Sequence, residues 1–457
     1  MLHRLVFTAG CWVKYPGLMP KYLQLLKTQW LPLDEIRTRQ ERYLAGMIDH
    51  CYKNVPYYRQ LFDQAGLAPS DIRTISDLQK LPMLNKQTLK SHPTEFKPMN
   101  LSRIRYLNRS TSGSTGIPLK FRVAREDWEY SQALILRDRG LAGFKLGDRT
   151  AAIGCQVPQV KPGLPRTLLD FALNHRGFYC MNVTREKAFA YFSQLNRFKP
   201  RFLMGGPLPV SLFAGFLREN DLKLHFKLQA VITNGEKLFA HQRKIIEAVL
   251  GAPVYDWYGL DDGGLSAFEC KEHRGLHIDM ERAILEVVDE AGRQVVNREG
   301  RILATSLHNY AQPFLRYETG DLGIISDRVC RCGRKTPLLE EITGRIEGYI
   351  LTTSGVKVHG SVFQTWMDKS DHISQFQVVQ EKADEVLVKV VPEKGAARVL
   401  TDVQEIQKTL AGIDPHMKVG IELITEDCLE YTAAGKYKFV FNKVEHPALV
   451  EDAEGRS

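Results

Sequence analysis

The chain has no stretch approaching the roughly 18–20 consecutive apolar residues that a bilayer-spanning helix needs. It also has no block of five or six like charges, no internal repeat and no low-complexity tract. Its net charge of +9 comes from scattered basic residues. A scattered positive balance suits an anionic small molecule better than nucleic acid, for which a clustered basic face is expected. Cysteine is sparse, eight in 457 residues. Cys11, Cys51, Cys155, Cys180 and Cys428 are isolated, which is not the even framework of a secreted disulfide protein. The N-terminal "LVFTAGCWV" is short for a signal segment, has Thr8 where a lipoprotein signal wants Leu, and is soon followed by Lys14. A cytoplasmic protein is therefore expected. A Walker A loop is absent too, because Gly116 is followed by Ile117-Pro118 where that motif needs Lys and then Ser or Thr.

What is present is the composition of a soluble globular protein, 44% hydrophobic and 25% charged. The length predicts two or three folding units. Residues 20 to about 95 carry apolar side chains at three- and four-residue steps and read as helices, with "SDLQK" as a Ser-capped turn. "KFRVA" reads as a strand and "EDWEYSQALILRDRGLAG" as a helix. From there to "PVYDWYG", apolar runs alternate with helical patterns, the rhythm of a mostly parallel, doubly covered sheet. From about 276 strand pairs take over, with "AILEVVDEAGRQVV" a hairpin around Asp-Glu-Ala-Gly. Beyond Gly344-Arg345 the order is strand, strand, helix, strand. The fold class is thus α/β. A large N-terminal domain (1–346) has a helical lead over 1–95 and a β-rich subdomain at about 270–340. A small α+β C-terminal domain covers 347–457.

Between Arg109 and Phe121 the chain reads "RSTSGSTGIPLKF", a poor helix and a poor strand interior, but a loop rich in N–H groups and hydroxyls that suits an anion. Five further segments follow it in order: "TNGEKL" (233–238), "YDWYGLDDGG" (255–264), "FLRYETGDLG" (314–323), "ITGRIEGYI" (342–350) and "YTAAGKYKFVF" (431–441). The ordered set resembles the adenylate-forming superfamily of acyl-CoA synthetases. More closely, it is similar to the branch of phenylacetate–CoA ligases and capsular-polysaccharide CapK-like proteins, from about residue 50 to about 443.

The resemblance implies ATP-dependent adenylation of an aryl or acyl carboxylate to an acyl-AMP, then thioester formation with coenzyme A. Ser112, Gly113, Ser114, Thr115 and Gly116 would hold the β- and γ-phosphates of ATP. Gly235, Glu236, Tyr258 and Gly259 would form the adenine slot, the ring of Tyr258 stacking on the base. Asp321 would accept from both ribose hydroxyls, and Arg345 would lie near ribose and phosphates. Asp262 stands at the family's Mg²⁺-binding glutamate, after Asp261 where Ser or Thr is usual. Lys436 would be the catalytic cation, and Glu347 the hinge about which the small domain rotates. The expected partners are a small-molecule carboxylate, ATP and coenzyme A, with no nucleic acid and no integral membrane segment; the reading admits a homodimer. Two other functions stay open. One is adenylyl or acyl transfer to a hydroxyl acceptor in polysaccharide or cofactor metabolism; the other is a nucleotide-binding scaffold with impaired turnover.

A second constellation lies in "ECKEHRGLHID" (269–279) and "VCRCGRKTP" (329–337). Cys270, His277, Cys330 and Cys332 supply three thiolates and an imidazole for a tetrahedral, closed and therefore structural Zn²⁺ site, with His273 an alternative ligand. Some members of the resembled branch carry a similar cluster.

Overall fold

Helix formation begins where the chain offers apolar residues at helical spacing behind a proline. In the computed structural model the described residues are 3, 6, 8–10, 12, 15–111, 119–154, 170–179, 183–346, 348–360, 363, 372–392, 399–431 and 437–444. Residues 3, 6, 8–10 and 12 are helical, and the α-helices that follow them among the described residues are α1 (Leu18–Thr28), α2 (Leu33–Asn54), α3 (Pro56–Ala65) and α4 (Lys86–Ser91). In α2, Asp34 and Glu35 occupy the electropositive first turn, and Leu44, Met47, Ile48 and Cys51 bury one face. Gly66, at φ +63°, ends α3 in a left-handed conformation that costs other residues more. The "SDLQK" segment is a 3₁₀ turn, but Ser76 does not cap it. Asp77 instead accepts from the backbone N–H groups of Arg73 and Thr74, at 3.1 and 2.8 Å. No described helix is long and apolar enough to cross a membrane.

Strands β1 (Tyr106–Ser110) and β2 (Lys120–Ala124) form an antiparallel hairpin with Ser110 opposite Lys120. β1 had no signal in the apolar pattern, since four of its five residues are exposed. Helix α5 (Arg125–Arg139) follows. Then come β3 (Thr150–Ile153), β4 (His175–Phe178), α6 (Arg185–Phe198), β5 (Phe202–Gly205), α7 (Pro207–Glu219), β6 (Ala230–Asn234), α8 (Ala240–Leu250) and β7 (Val254–Gly259). After them run β8 (Ser266–Glu269), β9 (Leu276–Ile278), β10 (Ala283–Val288), β11 (Gly300–Ser306), β12 (Tyr317–Ser326) and β13 (Leu338–Arg345).

β3 to β13 make one eleven-stranded sheet in the order β10-β11-β12-β13-β9-β8-β7-β6-β5-β3-β4. From β4 to β7 the pairing is parallel; from β7 to β9, and between β10, β11 and β12, it is antiparallel. The expected β-rich subdomain is therefore the antiparallel part of the main sheet. The hairpin expected around Asp-Glu-Ala-Gly turns there, but its return is a single bridge, Val288 to Gln294; the strand that pairs with β10 is β11. In the parallel part, Ile153, Leu203, Val231 and Val254 pack on one face against Leu195, Phe213, Leu217 and Ile246 of the helices. The opposite face presents Ala152, Met204, Ile232 and Trp257.

The chain splits into two compact units, residues 1–238 with 242–343, and 239–241 with 344–457. In the second, β14 (Tyr349–Leu351) pairs with β15 (Lys357–His359), and β16 (Ile373–Lys382), β17 (Glu385–Pro392), β18 (Lys418–Leu423) and β19 (Val440–Asn442) form a sheet in the order β18-β17-β16-β19. α9 (Val399–Ile413) connects β17 and β18.

Candidate functional site

The C-terminal ends of parallel strands are where an open α/β sheet leaves backbone groups and loops for a ligand. Gly235 follows β6 there at φ +85°, and Glu236 after it comes close to the end of β5: a Cβ on Gly206 would lie 3.4 Å from its Oε2. On β7, the Tyr258 hydroxyl donates to Asp321 Oδ2 at 2.9 Å. Asp321 lies on β12, only 9% exposed, and its N–H donates to Thr319 Oγ1 at 3.1 Å. β12 is irregular at this point: Gly320 sits at φ +80°, and the register against β11 shifts between Glu318 and Leu322. Tyr317 in turn donates its hydroxyl to Asp262 Oδ2 at 3.1 Å. The turn that carries Asp262 depends on glycine: Gly263 sits at φ +93°, and a Cβ there would lie 2.5 Å from the Ala304 Cβ. Two tyrosines thus orient two carboxylates. Tyr317, which the sequence reading missed, has no distinguishing signal in "RYETGD", because the strand is irregular between it and Asp321.

Asp261 is exposed beside two cations, 3.9 Å from Arg109 at the end of β1 and 3.9 Å from Arg282. Arg282 is itself buried and held by both oxygens of Asp127, at 3.1 and 2.8 Å. Arg109 leads into the hydroxyl-rich loop. Ser112, Gly113, Ser114, Thr115 and Gly116 lie outside the described residues, but both ends of their loop are pinned. Thr111 N–H donates to the Leu119 carbonyl at 2.9 Å, and Leu119 N–H to Thr111 Oγ1 at 2.9 Å. Glu341, near the end of β13, receives Lys237 Nζ at 3.0 Å. Arg345 is exposed at the end of β13 and belongs to the second unit. Glu347 and Lys436 lie outside the described residues.

The segment carrying Lys436 is flanked by a buried amide. Gln377, 0% exposed on β16, accepts from Glu430 N–H at 2.8 Å and donates to the carbonyls of Glu430 and Lys438 at 2.6 and 2.9 Å. Tyr431 and Tyr437 bridge across the same base. Asp256, beneath the site on β7, accepts from Thr233 Oγ1 at 2.9 Å. Burial pushes its carboxyl up to about 7, with the Thr233 hydrogen bond pulling the other way.

The ligand atoms of Cys270, His277, Cys330 and Cys332 all lie within 4.8 Å of one another. Cys270 Sγ is 3.6 Å from Cys330 Sγ, and Cys332 Sγ is 3.2 Å from His277 Nε2. His277 Nδ1 meets Thr336 Oγ1 at 3.1 Å, which turns Nε2 toward the sulfurs, the outer support a metal-ligating imidazole needs. Three soft sulfur donors and one nitrogen fit Zn²⁺. His273 is not in the cluster: it meets Glu269 at 3.3 Å and packs on the ring of Tyr255.

Residues 350–443 match the family model of the CapK C-terminal domain. The chain is 27% identical over 342 residues to the phenylacetate-coenzyme A ligase of Thermus thermophilus, covering 72% of this chain and 74% of that one. It is 21% identical over 356 residues to protein CapK of Staphylococcus aureus, covering 77% of each. Among solved structures, 2-hydroxyisobutyryl-CoA ligase in the postadenylation state in complex with R3-HIB-AMP superposes with a TM-score of 0.72 over 93% of each chain, at 21% identity. That likeness fixes the fold.

Proposed function

We propose that this chain, a relative of the phenylacetate–CoA ligases and CapK within the adenylate-forming fold, activates an aryl or acyl carboxylate with ATP and passes the acyl group to coenzyme A. The observation that carries the reading is the 2.9 Å bond from Tyr258 to Asp321. It sets an aromatic face beside a carboxylate able to accept from two hydroxyls, as a nucleoside requires.

In the first half-reaction a substrate carboxylate oxygen attacks the α-phosphorus of ATP and pyrophosphate leaves. Two unit charges at about 4 Å repel by roughly 4 kcal/mol at an effective dielectric near 20. Lys436 is the cation that turns this repulsion into attraction as charge builds on the bridging oxygen. Gly235, Glu236, Tyr258 and Gly259 form the base slot, Asp321 holds the ribose, Arg345 serves ribose and phosphates, and the 112–116 loop holds the phosphate tail. Asp262, oriented by Tyr317, would hold a magnesium ion, which when bound would neutralise phosphate charge. In the second half-reaction a thiolate attacks the acyl carbonyl and AMP leaves. Glu347 is the hinge between the two, at the boundary of a 1–346 and a 347–457 domain. Cys270, His277, Cys330 and Cys332 hold a structural zinc, and the reaction runs in the cytoplasm.

The likeness to CapK supports a second reading, in which the activated group goes to a hydroxyl acceptor. A screen of carboxylic acids for ATP-dependent pyrophosphate release, with and without coenzyme A, tests both. Acid-dependent release followed by thiol-dependent AMP release is expected. Thiol-independent product would favour the hydroxyl acceptor, and no release with any acid would refute adenylation.

A further inference from the structure

A cavity of about 210 Å³ lies between α5 and the sheet face opposite the α6–α8 helices. Ala152, Met204 and Ile232 floor it, successive partners on β3, β5 and β6, and Trp257 and Phe268 close one side. A dry cavity of roughly 150 Å³ holds benzene, so this one has room for an aryl ring and a small substituent, or a six-carbon chain. Its wall is not all apolar. Arg139, at the end of α5, lines it, and among the described residues its guanidinium has no hydrogen-bond or ion-pair partner; its one described contact is the Phe144 ring, 6.0 Å away. The buried indole Nε1 of Trp257 also lines the cavity without a partner. Asp138, the wall's other charged residue, is engaged through Oδ1 by Arg137, whose Nε donates to it at 2.9 Å, while its buried Oδ2 has no hydrogen-bond partner among the described residues. His175 meets Thr150 Oγ1 through Nδ1 at 2.8 Å. Desolvation pulls the Arg139 pKa down to about 10, and the nearby Asp138 charge offsets only part of that.

The cavity thus presents a buried indole N–H with no acceptor and a half-buried guanidinium with none among the described residues; a buried donor left unmatched is costly unless a ligand supplies an acceptor. We infer that the acid this chain activates carries an oxygen acceptor, a second carboxylate or a hydroxyl, on its acyl part away from the reacting carboxylate, and that Arg139 and Trp257 read it. Guanidinium against an oxygen acceptor is a charge-assisted pairing. The inference rests on the ligase reading above and names its substrate class.

The test is pyrophosphate release together with calorimetric titration, on wild type, Arg139→Met and Arg139→Lys. The probes are phenylacetate, its 4-methyl, 4-hydroxy and 4-carboxy derivatives, hexanoate and adipate. An oxygen-bearing acid is expected to exceed its methyl or unsubstituted counterpart by about 100-fold or more in kcat/KM, as sites built around a polar substituent do. Arg139→Met should erase that ratio while leaving the apolar acids about as active as before, and Arg139→Lys should restore part of it. The hydroxy and carboxy arms tell which acceptor is read. A preference for the apolar acids, or a ratio unchanged in Arg139→Met, overturns the inference. If no acid drives pyrophosphate release, the ligase reading falls and calorimetry decides this one alone. Tenfold weaker binding of an oxygen-bearing acid to Arg139→Met would then support it; equal binding, or none, would overturn it.

Discussion

Tyr258→Phe removes one oxygen and leaves the ring, so it separates two roles that a larger truncation would confound. The deleted hydroxyl donates to Asp321 Oδ2 at 2.9 Å, and the carboxylate is 9% exposed. A hydrogen bond to a charged group is worth about 1.5–3 kcal/mol to the fold. Only part of that reaches ATP binding. Thr319 still meets the Asp321 backbone at 3.1 Å, so the loss is chiefly of side-chain orientation. Ordering one side chain on binding costs about 0.5–1.5 kcal/mol, which corresponds to a rise in ATP Kd of roughly 2- to 12-fold. The assay is calorimetric titration with a non-hydrolysable ATP analogue on Tyr258→Phe, Asp321→Asn and the double variant. If the tyrosine acts through the carboxylate, the single effects must not add, and a coupling of at least about 0.5 kcal/mol is expected. Unfolding measured in parallel isolates the structural share. A Tyr258→Phe protein that is less stable yet binds ATP as tightly as wild type would refute the reasoning, because the bond would then be a clasp between β7 and β12 and nothing more.

On the proposed assignment, in which its charge acts where carboxylate meets phosphate, Lys436→Ala should abolish acid-dependent pyrophosphate release while changing ATP affinity by no more than a few-fold; unchanged release in that variant would refute it. The purified chain should carry one zinc by atomic emission, and Cys332→Ser or a strong chelator should lower both metal content and melting temperature; metal-free protein that melts identically would remove the site. Asp256 keeps its proton in the folded state up to about 7, whereas the unfolded chain loses it near the ordinary 3.8, so folding stability falls as pH rises through that window. Asp256→Asn should therefore gain relative stability at pH 8 over pH 4, by about 1–3 kcal/mol after allowance for partial exposure, and denaturant curves with the same difference at both pH values would refute the burial argument.

The elements that the sequence made legible are those whose periodicity and burial agree. β2 could be read as a strand because its alternate residues Phe121 and Val123 are buried and its last, Ala124, meets Asn309. α6 could be read because Thr184 caps it and Ala188, Tyr191 and Leu195 repeat on one face. β1 could not, since its partner is β2 and its side chains face solvent; its strand character lies in backbone pairing that leaves no mark on composition. The continuity of the antiparallel strands with the parallel ones was hidden for a related reason. The pairing of β9 with β13 joins residues about sixty positions apart through two residue pairs, Leu338 with His277 and Leu339 with Leu276. The same short ladder brings the two halves of the cysteine–histidine cluster together. Sequence spacing could offer both Cys270 with His277 and Cys330 with Cys332. It could not choose between His277 and His273, because that depends on which side chain Glu269 and Tyr255 already occupy.

The role proposed for Lys436 would depend on a residue with no chemical role of its own. A lysine that must reach a shared anionic centre gains nothing from its own stem, which has several rotatable bonds and a strongly hydrated head. Its placement has to come from the backbone that bears it. That backbone is held at both ends by a single side chain: Gln377 satisfies both backbone groups of Glu430 and the carbonyl of Lys438 with one buried amide. An apolar residue at 377 would fill the same space on β16 but leave those backbone groups buried without partners, at about 1–3 kcal/mol each. Nothing in "SQFQVVQ" distinguishes this glutamine from Gln375 or Gln380, and Gln380 plays the corresponding part for β14 by closing both backbone groups of Leu351 at 2.7 Å. Gln377 and Gln380 are therefore best understood as backbone ligands. One steadies the strand just after the 344–348 segment, the other the segment that carries the lysine, so both features expected to change between half-reactions are anchored to one strand of the small unit.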